Sequence, residues 1–482
     1  MSKNVPDFSL IRSVMAGLEP SPNVQPNETI SLDRAFFPAG HRGVLDLRRQ
    51  LVVGNRGMGK SFWTHALTDQ EVRDRVSYEY NHPLLRKLTV FIGFNGSQKT
   101  SRITPSVDEI IALLGKGIEP EQIWRAVLMR IVNSARSSSS LEQITEDLST
   151  DPTLYSRELS AEDDKLLQRD HNTLIVFDAL DRLGAGWGEI RRLTRALLTL
   201  AVGVQSFRAI RMKIFMRVDQ FSDDDLFHFP DSSKIRNDHV NLLWRPSELY
   251  GLLLFELIRD PESRAQIDII AENEGLPART SRGWFKVDDQ ERIIKMIAGE
   301  FMGTSRKRGR VYTWVPLHLS DAADTCSPRS FLIAWKKAAE HEPAPISRSV
   351  DHLGLADGVR SASSSRLVEL YEDYLWIKPA LKALWRQFVP LDRERLFDLW
   401  RQADVVGTIR SNGSSDPKSM PVKFTEGEDL SALLGAMRDV GVMEERSNGK
   451  VNVPDIFRVE AQILRKGGAA YDNARAALGE KE

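Results

Sequence analysis

The chain has 482 residues, 41% hydrophobic and 28% charged, the proportions of a globular protein with about two to three domains. Its 66 basic and 67 acidic residues nearly cancel, to a net charge of −1, so no overall field marks it for nucleic acid or an anionic membrane. A single cysteine, Cys326, excludes an internal disulfide framework and a cysteine-built metal site; with no signal peptide and no apolar run of about 18 residues, the expectation is a cytosolic protein that does not span a membrane.

Residues 1–30 are polar and carry Pro6, Pro20, Pro22 and Pro26 around one apolar patch near 10–15, and read as a partly ordered arm. Leu51-Val52-Val53 is a short apolar run of buried-strand character, followed by Gly54-Asn55-Arg56-Gly57-Met58-Gly59-Lys60-Ser61. This stretch fits G-x-x-x-x-G-K-[ST], and residues 62–67 after it read as the first turns of a helix. In that context it is a phosphate-binding loop. Glycines let the backbone wrap close to phosphates, and successive amides point inward at the positive end of the helix. Lys60 is placed to reach the β- and γ-phosphates, and the Ser61 hydroxyl to hold Mg²⁺. All eight residues from Gly54 to Ser61 are therefore candidate nucleotide contacts.

A second strand is expected at 88–94. The stretch 95–170 reads as a helical insertion, with apolar residues at helical spacing over 118–132 and a loop at 137–140. Leu174-Ile175-Val176-Phe177-Asp178 is an apolar strand ending in a carboxylate, the Walker B pattern. The carboxyl end of a central parallel strand faces the nucleotide, so Asp178 would hold Mg²⁺ opposite Ser61. Residues 188–204 form an amphipathic helix whose outer face carries Arg191, Arg192 and Arg195, either solvated or turned toward a neighbouring subunit. A fourth strand at 212–216 ends in Arg217-Val218-Asp219. The loop 221–237 holds Asp223, Asp224, Asp225 and Asp231, with Lys234 and Arg236 near its end. A fifth strand at 239–244 and a helix at 246–258 complete this region.

Asp178-Ala179-Leu180-Asp181-Arg182 resembles the D-[GA]-L-D-E signature of STAND-type ATPases, the NACHT-like branch of the P-loop class. Asp181 falls on the second aspartate and Arg182 replaces the glutamate. Most AAA+ ATPases place a glutamate directly after the first aspartate, where this chain has Ala179. The resemblance implies that Asp181 orients the attacking water, unless it only caps the next turn, and that turnover is slow. It also implies an α/β fold, a P-loop ASCE/AAA+-like parallel sheet of order 5-1-4-3-2 flanked by helices, followed by a helical lid and a winged-helix-like domain. In that layout Arg217 is the sensor 1 candidate or a partner of Asp219 or Asp178, and Arg236 is the best-placed arginine finger. Phe36-Phe37-Pro38-Ala39-Gly40-His41-Arg42 either lies against adenine or is a turn anchored by two aromatics.

Beyond the core the chain reads as a helical lid over 259–346. Ser327-Pro328-Arg329 there resembles the sensor 2 element, with Ser327 as N-cap, Pro328 at the first helical position and Arg329 turned toward the nucleotide. A linker at 347–365, rich in Ser, Asp and Gly, leads to a last domain at 366–482. It is expected to hold helices at 366–386 and 392–402, a polar loop at 405–428, a helix at 430–440 and an Asn448-Gly449 hairpin. Three helices and a hairpin resemble a winged helix, but Arg438 beside Asp439, and Glu444 and Glu445 beside Arg446 and Lys450, give no net basic face. ATP is favoured over GTP, since no Asn/Thr-Lys-x-Asp motif follows the fourth strand. The resulting expectation is an ATP- and Mg²⁺-binding regulatory ATPase that self-associates as a nucleotide-dependent switch. A prokaryotic antiviral role with a separate effector protein is one setting. A DNA-binding initiator and a nucleotide-gated scaffold are the alternatives.

Overall fold

The computed structural model describes residues 4–20, 32–97, 101, 103–184, 186–280, 282–415, 420–421, 424 and 429–465. They form two compact units: a sheet unit within residues 24–243, and a helical unit drawn from the stretches before and after it. The first helix, α1 (Phe8–Ala16), belongs to the helical unit and is capped by Asp7, whose carboxylate accepts from the Ser9 amide at 2.9 Å.

The sheet unit alternates strands and helices. It runs β1 (Leu51–Val53), α2 (Lys60–Thr68), α3 (Gln70–Glu79), β2 (Leu88–Phe94), α4 (Val107–Gly115), α5 (Pro120–Val132), α6 (Leu141–Thr150) and α7 (Leu154–Gln168). It continues with β3 (Asn172–Phe177), α8 (Trp187–Val204), β4 (Ile210–Met216), the short α9 (Val218–Phe221) and α10 (Ser232–Arg236), and β5 (Val240–Asn241). All five strands are parallel, in the order β2-β3-β4-β1-β5, which read from the other edge is the expected 5-1-4-3-2. Leu174 to Phe177 of β3 have no exposed surface, as a parallel strand covered on both faces requires. The fifth strand is shorter than the expected 239–244. Only Val240 and Asn241 pair with Val52 and Val53, and Pro246, which opens the next helix, has no amide to extend a ladder.

The insertion is part of this core. Ile123, Trp124, Val127 and Leu128 of α5 are fully buried, each contributing about 1.5–3 kcal/mol, and α4, α6, α7 and α8 all pack on that helix. Asp163 of α7 accepts the amides of Arg208, Ala209 and Ile210 at 3.0, 2.7 and 3.1 Å, fixing the start of β4. The three arginines of α8 are engaged within the sheet unit. Arg191 pairs with Asp223 at 2.8 Å and with Asp225, Arg192 lies 3.6 Å from Glu119, and Arg195 donates to the His228 carbonyl.

The helical unit continues with α11 (Pro246–Arg259), α12 (Pro261–Asn273), α13 (Val287–Ala298), α14 (Val311–Leu319), α15 (Pro328–Glu340), α16 (His352–Asp373) and α17 (Ile377–Lys382). Then come β6 (Phe388–Val389), β7 (Leu391–Asp392), α18 (Arg393–Gln402), α19 (Val405–Ser415), α20 (Asp429–Asp439), β8 (Glu444–Glu445), β9 (Lys450–Asn452), α21 (Asp455–Arg458) and β10 (Leu464–Arg465). β7, β9 and β8 form an antiparallel sheet in that order, while β6 and β10 pair in parallel. The Asn-Gly hairpin is present, with Gly449 at φ 76° and the Arg446 amide donating to the Lys450 carbonyl at 2.8 Å.

Three expectations change here. The arm contains α1, whose Ile11 and Met15 are fully buried and which packs on α12 and α15; Lys336 holds its end through the Leu18 carbonyl at 3.0 Å. Residues 21–31 lie outside the described residues. The stretch 347–365 is mostly the long helix α16, capped by Asp351, which accepts from the Leu353 and Gly354 amides at 3.1 and 2.9 Å. Its small residues serve close packing: a Cβ on Gly354 would stand 2.7 Å from the Ala338 carbonyl oxygen of α15. The polar loop at 405–428 begins as α19, and residues 416–419, 422–423 and 425–428 lie outside the described residues.

Lys213, in the middle of β4, is a fully buried cation that no sequence pattern announces. Its Nζ donates to the Asp46 and Arg49 carbonyls at 2.8 and 2.6 Å, tying the turn before β1 to the sheet. Burial pulls its pKa down to about 7, against the opposing pull of Asp46. A neutral amine has two N–H donors, which matches the two carbonyls. Between about pH 7 and the ordinary lysine value of about 10.4 the unfolded chain binds more protons than the folded one, so this group makes stability rise with pH across that window. Denaturant unfolding of Lys213→Met should show a flatter pH dependence from about pH 7 to 10 than the parent chain; parallel curves would show that Lys213 keeps its proton when buried.

Candidate functional site

Because the strands run parallel, their carboxyl ends share one edge of the sheet, and four loops meet there. The first is 54–60. Gly54 extends the ladder, its amide donating to the Met216 carbonyl at 3.1 Å, and a Cβ on it would press on Leu242 at 3.1 Å. Gly57 and Gly59 have φ of 83° and 106°, backbone that side-chain-bearing residues rarely adopt. Gly59 is the N-cap of α2 and supplies no capping side chain, and the position of its missing Cβ has nothing within 4 Å. The loop thus opens onto free space at the positive end of a nine-residue helix. Met58 is buried beneath it, whereas Arg56 and Ser61 are exposed.

Lys60 Nζ donates to the carbonyls of Gly54 and Asn55 at 2.6 and 3.1 Å. Burial lowers its pKa to about 8; Asp178 opposes this most strongly, Arg217 adds to the lowering, and Asp181 and Asp219 oppose it. The same charges that the sequence scatters over three strand ends therefore act on one ammonium. Asp178, 8% exposed, has its pKa raised by burial, while the Ala179 amide, Lys60 and Thr64 favour its ionised form. Its Oδ1 accepts the Ala179 amide at 2.8 Å, made reachable by the left-handed Ala179 backbone at φ 57°. Its Oδ2 accepts from Thr64 Oγ1 at 3.1 Å.

Arg217, at the end of β4, donates through Nε to Asp219 at 3.0 Å and approaches Asp181 at 3.5 Å. The candidates Lys60, Asp178, Asp181 and Arg217 are thus brought together. The loop after β2 closes the group: the Asp178 amide donates to the Phe94 carbonyl at 2.9 Å, and a Cβ on Gly96 would stand 2.7 Å from the Arg182 side chain. Arg236 is held by Asp224 at 2.7 Å and lies over the Phe227 ring at 4.7 Å, within the sheet unit. Arg329, in the helical unit, pairs with Glu369 of α16 at 2.6 Å, and its cap is as expected, Ser327 Oγ accepting the Ser330 amide at 3.1 Å.

Segment 36–42 is an anchor. Phe36 and Phe37 are buried, and the Phe37 ring packs on Phe62, Trp63 and Tyr80. Trp63 Nε1 donates to His41 Nδ1 at 2.9 Å, so His41 carries its proton on Nε2, which donates to the Leu243 carbonyl at 3.1 Å. One imidazole thereby ties the phosphate-loop helix to the end of β5. Sequence reasoning passed over Trp63 and Thr64; the available signal was Thr64, a polar residue one turn after Ser61 on the apolar face of α2.

The donor set fits a nucleoside triphosphate with a divalent cation. The loop offers amides, a cation and open space, and Asp178 and Ser61 offer oxygen ligands of the kind Mg²⁺ takes. No described helix is long and apolar enough to cross a membrane. No protein-family model matches the chain, and no curated protein matches it in sequence. Among solved structures, it is similar to the Walker-type ATPase PABY2304 of Pyrococcus abyssi at 12% identity and a TM-score of 0.39, over 89% of this chain and 99% of that one. It is similar also to the Aeropyrum pernix ORC2 protein, solved with ADPNP and ADP, at 12% identity and 0.37, over 100% and 98%. The Aeropyrum pernix ORC1 protein in complex with DNA matches at 11% and 0.35, over 97% and 98%. At such scores the fold assignment rests on the strand order itself.

Burial lowers the pKa of His41 to about 4. In an NMR titration its ring signals should hold the neutral Nε2–H form from about pH 8 to about pH 5, well below the ordinary histidine midpoint of about 6.5. A His41 midpoint near that ordinary value would break the anchor assignment.

Proposed function

We propose that this chain binds ATP with Mg²⁺ at the edge formed by residues 54–61, 178–181 and 217, hydrolyses it slowly, and uses the bound state as an assembly switch. The observation that carries the reading is Lys60, half-buried at an open glycine loop and balanced by Asp178 from a different strand. In this reading the backbone amides of Gly54 to Ser61 and the Lys60 ammonium hold the phosphates, and Ser61 and Asp178 hold the metal. Mg²⁺ held there would neutralise charge on the phosphates. Thr64 orients Asp178 through its carboxylate oxygen, and Lys60 favours the ionised form that a metal ligand must have.

Arg217 supplies the sensing step. Its 3.5 Å contact to Asp181 is longer than its 3.0 Å contact to Asp219, so a γ-phosphate charge draws the guanidinium away from Asp181 first and leaves that carboxylate to orient water. Ala179 stands where many AAA+ ATPases have a glutamate, which supports slow turnover. Arg329 as sensor 2 and Arg236 as a residue offered to a neighbouring subunit complete the switch; each would leave its present carboxylate partner to act. A signalling role with a separate effector rests on the resemblance of residues 178–182 alone.

The order β7-β9-β8 behind α18 to α20 supports a winged-helix reading of the last domain. The charges of α20 and the β8–β9 hairpin pair locally, Arg438 with Glu445 and Arg446 with Glu444 at 3.3 and 3.4 Å, and Lys450 with Asp392 at 3.4 Å. That favours a protein contact over the grip of an initiator on duplex DNA.

Calorimetric titration should show ATP binding by the parent chain and about a hundredfold or greater weakening in Lys60→Ala. Equal affinity would remove the assignment. Asp181→Asn should bind ATP as the parent does while turnover falls about a hundredfold; full activity would make Asp181 a mere cap. Light scattering without nucleotide, with ADP and with a slowly hydrolysed ATP analogue should show a larger defined species only with the analogue, and one size under all three conditions would refute the switch.

A further inference from the structure

Lys378 and Lys382 lie one turn apart on α17, and both are exposed. Helical hydrogen bonding runs on past the helix end, with the Trp385 amide donating to the Lys382 carbonyl at 3.1 Å, so Trp385 follows in the same row. Trp385 is 51% exposed and Phe388, at the start of β6, is 44% exposed. Two large exposed aromatics three residues apart, beside exposed cations in the chain, are unusual for a surface that faces only water.

The ridge is ordered. Trp385 Nε1 donates to Gln462 Oε1 at 3.2 Å, and the Arg386 amide donates to the Gln462 carbonyl at 3.0 Å. Arg386 and Gln462 both adopt left-handed backbone, with φ of 56° and 53°, a strained choice for residues with side chains. The Arg386 guanidinium lies 4.4 Å from the centre of the indole and covers one of its faces. Among the described residues no carboxylate pairs with Lys378, Lys382 or Arg386.

We propose that this ridge binds single-stranded nucleic acid, with unpaired bases stacking on Trp385 and Phe388 and phosphates meeting Lys378, Lys382 and Arg386. The chemistry selects that partner. Three cations without counter-charge call for a polyanion, and two exposed rings call for flat apolar faces along it. A duplex offers the charge but hides its base faces within the stack. The surface is separate from α20 and the β8–β9 wing, and the proposal does not depend on the nucleotide site.

The test is fluorescence anisotropy of the full chain with a labelled oligothymidylate of about twenty nucleotides, against a mixed-sequence duplex of the same length. The single strand should bind at about 50 mM salt, with a log–log salt slope near −2, as expected for about three phosphates at about 0.7 each. Trp385→Ala should weaken binding about tenfold, Trp385→Phe should retain it, and Lys378→Glu with Lys382→Glu should weaken it and flatten the salt slope. Lys60→Ala should bind the strand normally, which separates this surface from the nucleotide assignment. No binding at low salt, a preference for duplex, or binding unchanged in Trp385→Ala would overturn the proposal.

Discussion

The constraint on which this molecule turns is that five parallel strands must end on the same side. Residues 54, 94, 178 and 217 are far apart in the chain, and the strand order β2-β3-β4-β1-β5 makes their loops neighbours. Charges that would otherwise be solvated separately are gathered at a partly buried edge. There Asp178 opposes the desolvation of Lys60, and Arg217 stands between Asp181 and Asp219. Lys60 and Asp178 are each shifted by burial and by one another, and that makes the edge responsive to an incoming charge.

The near-zero net charge has a structural counterpart. Cations and carboxylates are matched locally: the α8 arginines against the acidic loop, Arg136 against Glu158 and Asp147, Arg329 against Glu369. Most such pairs are exposed and worth little individually. Their consequence is positional, because a loop tethered by two or three of them has few ways to lie. The buried cases differ. Lys213 and His41 bond to backbone carbonyls and an indole, and burial holds the pKa of each below its ordinary value.

What could be read without coordinates followed chemical repetition. The glycine loop, the apolar third strand ending in Asp178, the amphipathic α8 and the Asn-Gly hairpin each carry a pattern dictated by local backbone geometry, and each stands where expected. What could not be read depended on partners distant in the chain. The apolar patch at 10–15 is too short to declare itself a buried helix, since its counterparts α12 and α15 lie some hundreds of residues on. Gly354 and Gly358 look like linker residues until α15 is laid against them. Thr64 looks like one more helical threonine until Asp178 arrives beside it, and Lys213 breaks the apolar pattern of its strand for the sake of two carbonyls in a turn upstream.

The place of α1 bears on how the molecule is made. It emerges from the ribosome ahead of the whole sheet unit, yet the helices that cover Ile11 and Met15 are synthesised only after that unit is complete. The sheet unit can close on itself during translation, whereas α1 waits with its apolar face unsatisfied until α12 and α15 appear. For that interval the nascent chain carries an amphipathic segment with an uncovered apolar face, a natural landing point for a chaperone and a weak spot in any fragment shortened from the far side.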